Sequence, residues 1–181
     1  MTFSLKSVVR GRCLLMTKPL IINIVGRSGS GKTTLVEKLI HRYTARGLKV
    51  SAVKSMRHDF DIDYPGKDSS RYREAGACTS IITNRKKYAL VSDLENNESP
   101  LELAVAHCQG SDIVIIEGFR EGNSIKVEVI GDSTEEPLYK SGIENIVLLV
   151  SDRKIDSGLP CFRRNDLEGI VSALEDIYSA R

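Results

Sequence analysis

The stretch Gly26-Arg27-Ser28-Gly29-Ser30-Gly31-Lys32-Thr33 constrains this chain more than any other. It satisfies G-x-x-x-x-G-K-[ST] at every fixed position, and its flanks suit the pattern. Ahead of it, residues 20–25 form a short apolar run of the kind a buried parallel strand requires. Behind it, apolar residues at 35, 36, 39, 40 and 43 predict a helix over 34–43. Strand, glycine loop and helix in that order read as a P-loop. Backbone amides can wrap a polyphosphate only where side chains do not intrude, so Gly26, Gly29 and Gly31 let the loop approach closely and adopt positive φ. The helix behind aims its free N-terminal amides and positive dipole end at the same phosphates. Lys32 is expected on the β- and γ-phosphates and the Thr33 hydroxyl on Mg²⁺. Gly26, Ser28, Gly29, Ser30, Gly31, Lys32, Thr33 and Thr34 are therefore the expected phosphate-binding residues, and the ligand is a nucleoside triphosphate.

A chain of 181 residues fills one ordinary domain. The reading is a single nucleotide-binding domain over 18–181, with 1–17 a frayed N-terminal extension or an artefact of the start site rather than an extra edge strand, since Met16 sits just before the first core strand. The opening residues mix Lys6, Arg10 and Arg12 with short apolar pieces and lack the continuous apolar centre of a secretory signal. A net charge of +2 implies no nucleic-acid or membrane partner. The cysteines at 13, 78, 108 and 161 form no C-x-x-C pair, which argues against a zinc site or disulfide scaffold and fits a reducing cytoplasm.

Along the chain, Gly47 closes the first helix, and residues 48–53 predict a second strand ending at Lys54. A polar stretch follows, then a short helix over 69–75 with Asp68 as its N-cap and Gly76 as its stop. Strands are expected over 78–83 and 88–91, separated by Arg85, Lys86 and Lys87. Ser99-Pro100-Leu101-Glu102 is a capping box with proline at the first helical position, opening a helix to about residue 107. Residues 113–116 predict a strand ending on Glu117, and 125–130 alternate apolar with charged residues, which predicts a strand with one wet face. A further strand over 146–150 and a last helix from Asn165 or Asp166 complete the pattern. Alternating strands and helices give an α/β fold of the P-loop NTPase kind: a mostly parallel twisted sheet with helices on both faces.

In such sheets the ligand lies beyond the carboxyl ends of the strands. Asp112 and Glu117 flank one strand about 16 Å apart at ~3.3 Å per residue, so they cannot share an ion. Polarity selects Glu117 as the carboxylate directed at the metal, with Lys32 and Glu117 as the pair able to act on a phosphate, and leaves Asp112 as a solvated strand start. Residues 54–71 carry His58, Asp59, Asp61, Asp63, Lys67, Asp68 and Arg71. That stretch lacks the glycine and terminal glutamate of a calcium loop, so no dedicated metal site is expected there.

These motifs together resemble the MobB family of molybdopterin-guanine dinucleotide biosynthesis adapters. The similarity rests on residues 26–35, on Asp63-Tyr64-Pro65-Gly66-Lys67-Asp68-Ser69 with Ala75-Gly76-Ala77 downstream, and on Ile115-Ile116-Glu117-Gly118-Phe119 followed by Ile125-Lys126-Val127-Glu128-Val129. The resemblance implies a homodimeric GTP-binding protein, at most a weak GTPase, that assists the guanylyltransferase joining GMP to molybdopterin. It implies a site of Gly29, Ser30, Gly31, Lys32, Thr33, Asp63, Lys67, Asp68 and Glu117. Pairing between subunits would use the 125–130 strand as its candidate edge. The chain departs from the family pattern at Ser55, where histidine is usual, and at Ile125, where proline is usual. The N-K-x-D signature of many GTPases is absent, so GTP over ATP rests on the resemblance.

A second reading is a P-loop small-molecule kinase, with Arg85-Lys86-Lys87 as a basic lid over the transferred phosphoryl group; an exposed basic turn is the plainer meaning of those residues. A third, a metal-inserting GTPase, is opposed by the few histidines and the unpaired cysteines.

Overall fold

The apolar run Leu20–Val25 lies at the middle of the molecule's main sheet, and the order of the other strands follows from what packs beside it. The computed structural model describes residues 6–9, 12–15, 19–56, 58, 60, 66–94 and 98–180. In chain order the strands are β1 (Lys6–Val9), β2 (Arg12–Leu15), β3 (Leu20–Val25), β4 (Val50–Lys54), β5 (Thr79–Thr83), β6 (Tyr88–Ser92), β7 (Ile113–Glu117), β8 (Ile125–Val129), β9 (Ile146–Val150) and β10 (Cys161–Phe162). The helices are α1 (Lys32–Thr44), α2 (Asp68–Glu74), α3 (Pro100–Ala106) and α4 (Leu167–Ser179), with a 3-10 turn at Leu138–Lys140. Two compact units result: residues 1–55 with 104–181, and residues 56–103.

The first unit holds a six-stranded sheet in the order β10-β9-β8-β3-β7-β4, and each neighbouring pair is parallel. Parallel pairing requires both faces to be covered. On one face the spacing of α1 buries Leu35, Val36, Leu39 and Tyr43, and α4 adds Ile170, Val171 and Leu174, all against Ile22, Ile24, Ile115, Val127 and Val150. Arg46 at the end of α1 pairs with Glu175 of α4 at 2.6 Å. On the other face the 3-10 turn brings Leu138 against Val25, Ile146 and Leu149. At the N-terminus β1 and β2 pair antiparallel, Lys6 opposite Leu15; Met1 and Met16, on which the start-site reading turned, lie outside the described residues.

β8 corrects the expectation of a strand with one wet face. All five residues are buried, Lys126 and Glu128 at 1 % exposure each. It runs between β3 and β9, so it is no edge for pairing between subunits; the edges are β4 and β10. The alternation misled because its charged side chains are satisfied inside the protein rather than by water. β10, two residues long, carries too little sequence to announce itself.

In the second unit, β5 and β6 form an antiparallel hairpin, Ile81 opposite Leu90, with α2 packed on β5. Asp68 is the first helical residue of α2 rather than its cap; Lys67 occupies the cap position in extended backbone. Arg85 and Lys86 form the hairpin tip, where the Asn84 carboxamide oxygen accepts the Lys86 and Lys87 amides at 2.8 and 3.0 Å. The α3 capping box forms in part, with the Glu102 amide donating to Ser99 Oγ at 3.3 Å.

Candidate functional site

The loop after β3 turns on its glycines. Gly26, Gly29 and Gly31 have φ of 149°, 70° and 93°, the region L-residues avoid. Gly26 is also fixed by space: a β-carbon there would strike the Val129 carbonyl oxygen and lie 2.7 Å from Ser30 Oγ. The bend delivers the chain into α1 with Gly31 as its cap, so the first-turn amides of Lys32, Thr33 and Thr34 have no acceptor within the helix and face the loop. Leu35 closes the first helical hydrogen bond onto the Gly31 carbonyl at 3.2 Å. Lys32 folds back over the loop and donates to the Arg27 carbonyl at 2.7 Å. Burial holds its ammonium below the ordinary lysine value; Glu117 opposes that effect, and Lys54 and Arg120 reinforce it.

Register explains why Glu117 faces this loop. Ile24, the residue before Val25, is opposite Glu117 on β7, and Glu117 is opposite Lys54 on β4, so all three share the face that α1 covers. The Thr33 hydroxyl donates to Glu117 at 3.0 Å to Oε1 and 3.2 Å to Oε2, and the Lys54 ammonium pairs with the same carboxylate. Glu117 is 5 % exposed. A hydroxyl and a carboxylate beside the free amides of a helix start are hard oxygen donors of the kind Mg²⁺ takes, so the residues present fit that ion. Asp112, at the other end of β7, has a structural part instead: its carboxylate accepts the Lys49 amide at 2.7 Å.

The structure thus gathers Gly26, Ser28, Gly29, Ser30, Gly31, Lys32, Thr33, Thr34 and Glu117 at one end of the sheet. Lys67 and Asp68 belong to the second unit, where both are exposed. Asp63, like Asp59 and Asp61, lies outside the described residues. Sequence reasoning placed the segments beginning at Lys54 and at Glu117 at carboxyl strand ends facing the phosphates, but did not pair the two side chains, as the structure does. It also overlooked the supports of the loop. Arg27 donates to the Glu136 carbonyl at 2.9 Å through Nη2 and at 3.2 Å through Nε, and pairs with Glu135 at 3.1 Å. Arg164, just past β10, reaches Gly31 and donates to the Ile130 carbonyl at 3.1 Å.

An all-parallel sheet with a glycine loop, a lysine and a threonine at the head of its first core helix defines a P-loop NTPase fold. The family model described as molybdopterin guanine dinucleotide synthesis protein B matches residues 21–152, and the chain belongs to that MobB family. It is 31 % identical over 148 residues to the molybdopterin-guanine dinucleotide biosynthesis adapter protein of Escherichia coli, covering 80 % of this chain and 85 % of that one. The protein of the same description from Haemophilus influenzae is 36 % identical over 132 residues, covering 72 % and 73 %. A crystal structure of molybdopterin-guanine biosynthesis protein B superposes with a TM-score of 0.67 at 28 % identity, covering 90 % of this chain and all of that one.

Proposed function

We propose that this protein is an adapter in molybdopterin guanine dinucleotide biosynthesis that binds GTP with Mg²⁺ on the 26–33 loop. It works as a homodimer in the cytoplasm and meets the guanylyltransferase that joins GMP to molybdopterin. The observation that carries the nucleotide part is the Thr33–Glu117 contact at the open start of α1, because it sets a hydroxyl and a buried carboxylate beside amides that have no acceptor within the helix. The adapter part is supported by family membership and by the names its relatives bear.

Each residue has a task in this reading. The Gly29, Gly31, Lys32 and Thr33 amides hold the phosphate oxygens, and Lys32 leaves the Arg27 carbonyl to put its charge on the β- and γ-phosphates. Thr33 and Glu117 hold the metal, which when bound neutralises charge on the phosphate oxygens. Hydrolysis, where it occurs, is slow, with Lys32 and Glu117 as the acting side chains. No observation favours a small-molecule kinase, since the basic residues offered as its lid are an exposed hairpin tip.

Titration calorimetry with GTP, ATP and GDP, each with Mg²⁺ and with chelator, tests the nucleotide, and co-purification with the guanylyltransferase tests the adapter role. Binding of GTP well above ATP, with turnover far below that of a dedicated hydrolase, is the expected result. Rapid phosphoryl transfer to a small metabolite would overturn it.

A further inference from the structure

The buried charges of β8 have no task in the site as described, yet they are costly to bury. Lys126 and Glu128 are two residues apart and so share a face of the strand, the one opposite α1. Lys126 donates to the Gly122 carbonyl at 2.6 Å and the Ser124 carbonyl at 3.4 Å. Asn23, its register partner on β3, donates to the Phe119 carbonyl and to Ser124 Oγ. The segment between these anchors, 118–124, is the one that leaves Glu117, and its Gly118 amide donates to the Ile24 carbonyl at 2.9 Å. Glu128 accepts the Leu138 amide at 2.6 Å and the Tyr139 amide at 2.9 Å. The segment it holds, 131–140, touches the P-loop twice. Glu135 and Glu136 hold Arg27, and a β-carbon on Gly131 would lie 2.9 Å from Ser30 Cα.

We propose that Lys126 and Glu128 are positioning residues of the nucleotide site, each fixing from within the sheet one of the two loops that border the P-loop. Lys126, with Asn23, holds the 118–124 loop, which carries Arg120 within electrostatic reach of Lys32. That loop follows directly on Glu117, the carboxylate that the reading above sets on the metal beside the terminal phosphates. Glu128 holds the 131–140 loop, which braces Arg27 at the opposite side of the glycine turn. Burial alone does not explain the pair: an apolar residue at either position would fill the same face without the cost of desolvating a charge. Each charge instead satisfies backbone groups of a loop that has no ladder of its own. The two positions therefore act on different parts of the ligand. This inference rests on the nucleotide-binding reading above.

The test is nucleotide affinity of the full chain carrying K126M or E128Q, measured with GDP and with a non-hydrolysable GTP analogue, beside circular dichroism and thermal melts. K126M is expected to weaken the triphosphate about tenfold, as loss of one charge-assisted hydrogen bond does, and to change GDP affinity by less than about twofold. K126R, which retains a donor, is expected to recover part of the loss. E128Q is expected to weaken both nucleotides alike, because its loop braces the turn that both share. N23A and R27A address the same two loops where a buried-charge variant does not yield folded protein. Folded variants that bind both nucleotides as the parent does would overturn the inference and leave the function standing. So would a K126M that loses GDP and analogue equally. A parent chain that binds no nucleotide would overturn the function itself, and the inference with it.

Discussion

Glu117 receives a hydroxyl and an ammonium while almost wholly excluded from water, so its charge is set for more than one partner. Glu117→Gln keeps the shape and removes the charge, and its amide group would point a donor at either Thr33 or Lys54. Loss of a charged hydrogen-bond acceptor of this kind costs about 1.5–3 kcal/mol, roughly a 10- to 100-fold weakening. That loss is expected in the Mg²⁺-dependent part of GTP binding, read by titrating with and without chelator; undiminished Mg²⁺ dependence would remove Glu117 from the metal. Glu128 makes a prediction of a different kind. Burial raises its carboxyl above the ordinary value of 4.5, against the lowering effects of the Leu138 and Tyr139 amides and of Arg27 and Arg120. A raised acid binds its proton more tightly in the folded state, so its contribution is whole below pH 4.5 and is lost as pH rises through the folded value. The stability of the parent relative to E128Q should therefore decline above pH 4.5, as urea unfolding at a series of pH values would show. A difference that grows with pH would contradict the burial argument.

At the scale of elements, the sequence was most legible where one signal governed the structure. The glycine loop with its flanking strand and helix formed as expected, because the turn admits almost nothing but glycine at 26, 29 and 31. Strand polarity gave Glu117 rather than Asp112 at the loop, because parallel ladders put like ends together. β8 was illegible for an equally physical reason: alternation reports which side chains are charged, and the groups that satisfy Lys126 and Glu128 are backbone carbonyls and amides of the loops before and after the strand, which no side-chain pattern announces. α4 shows a signal of middling strength. Its N-cap was narrowed to two residues, and the structure selects Asp166, whose carboxylate accepts the Gly169 amide at 3.0 Å. Asp166→Ala should cost about 1 kcal/mol, the usual value of such a cap. Urea denaturation would show it as a lower midpoint at unchanged slope, and nucleotide affinity should not change, since α4 meets α1 along Arg46 and Arg42 rather than at the glycine turn. An unaltered midpoint would mean that the exposed start of α4 is held by its packing alone.

For the whole molecule, the expected dimer needs a surface, and β8 is not it, because both of its edges are already paired. The second unit presents a better one. Pairing of Ile81 with Leu90 and of Thr83 with Tyr88 sets Ile81, Leu90 and Tyr88 on one face of the β5–β6 hairpin, where they are 56 %, 37 % and 65 % exposed. A two-stranded sheet is marginal in water by itself, and among the described residues no third strand pairs with β5 or β6. A second copy would cover that apolar face and offer the same face in return, as two-fold association requires. Light scattering at micromolar concentration should therefore give twice the chain's 20.0 kDa. Ile81→Lys together with Tyr88→Lys should return a folded monomer, since two like charges brought against their own copies oppose association. A parent that scatters as a monomer would remove the dimer, and a double variant that stays dimeric would move the contact to another face.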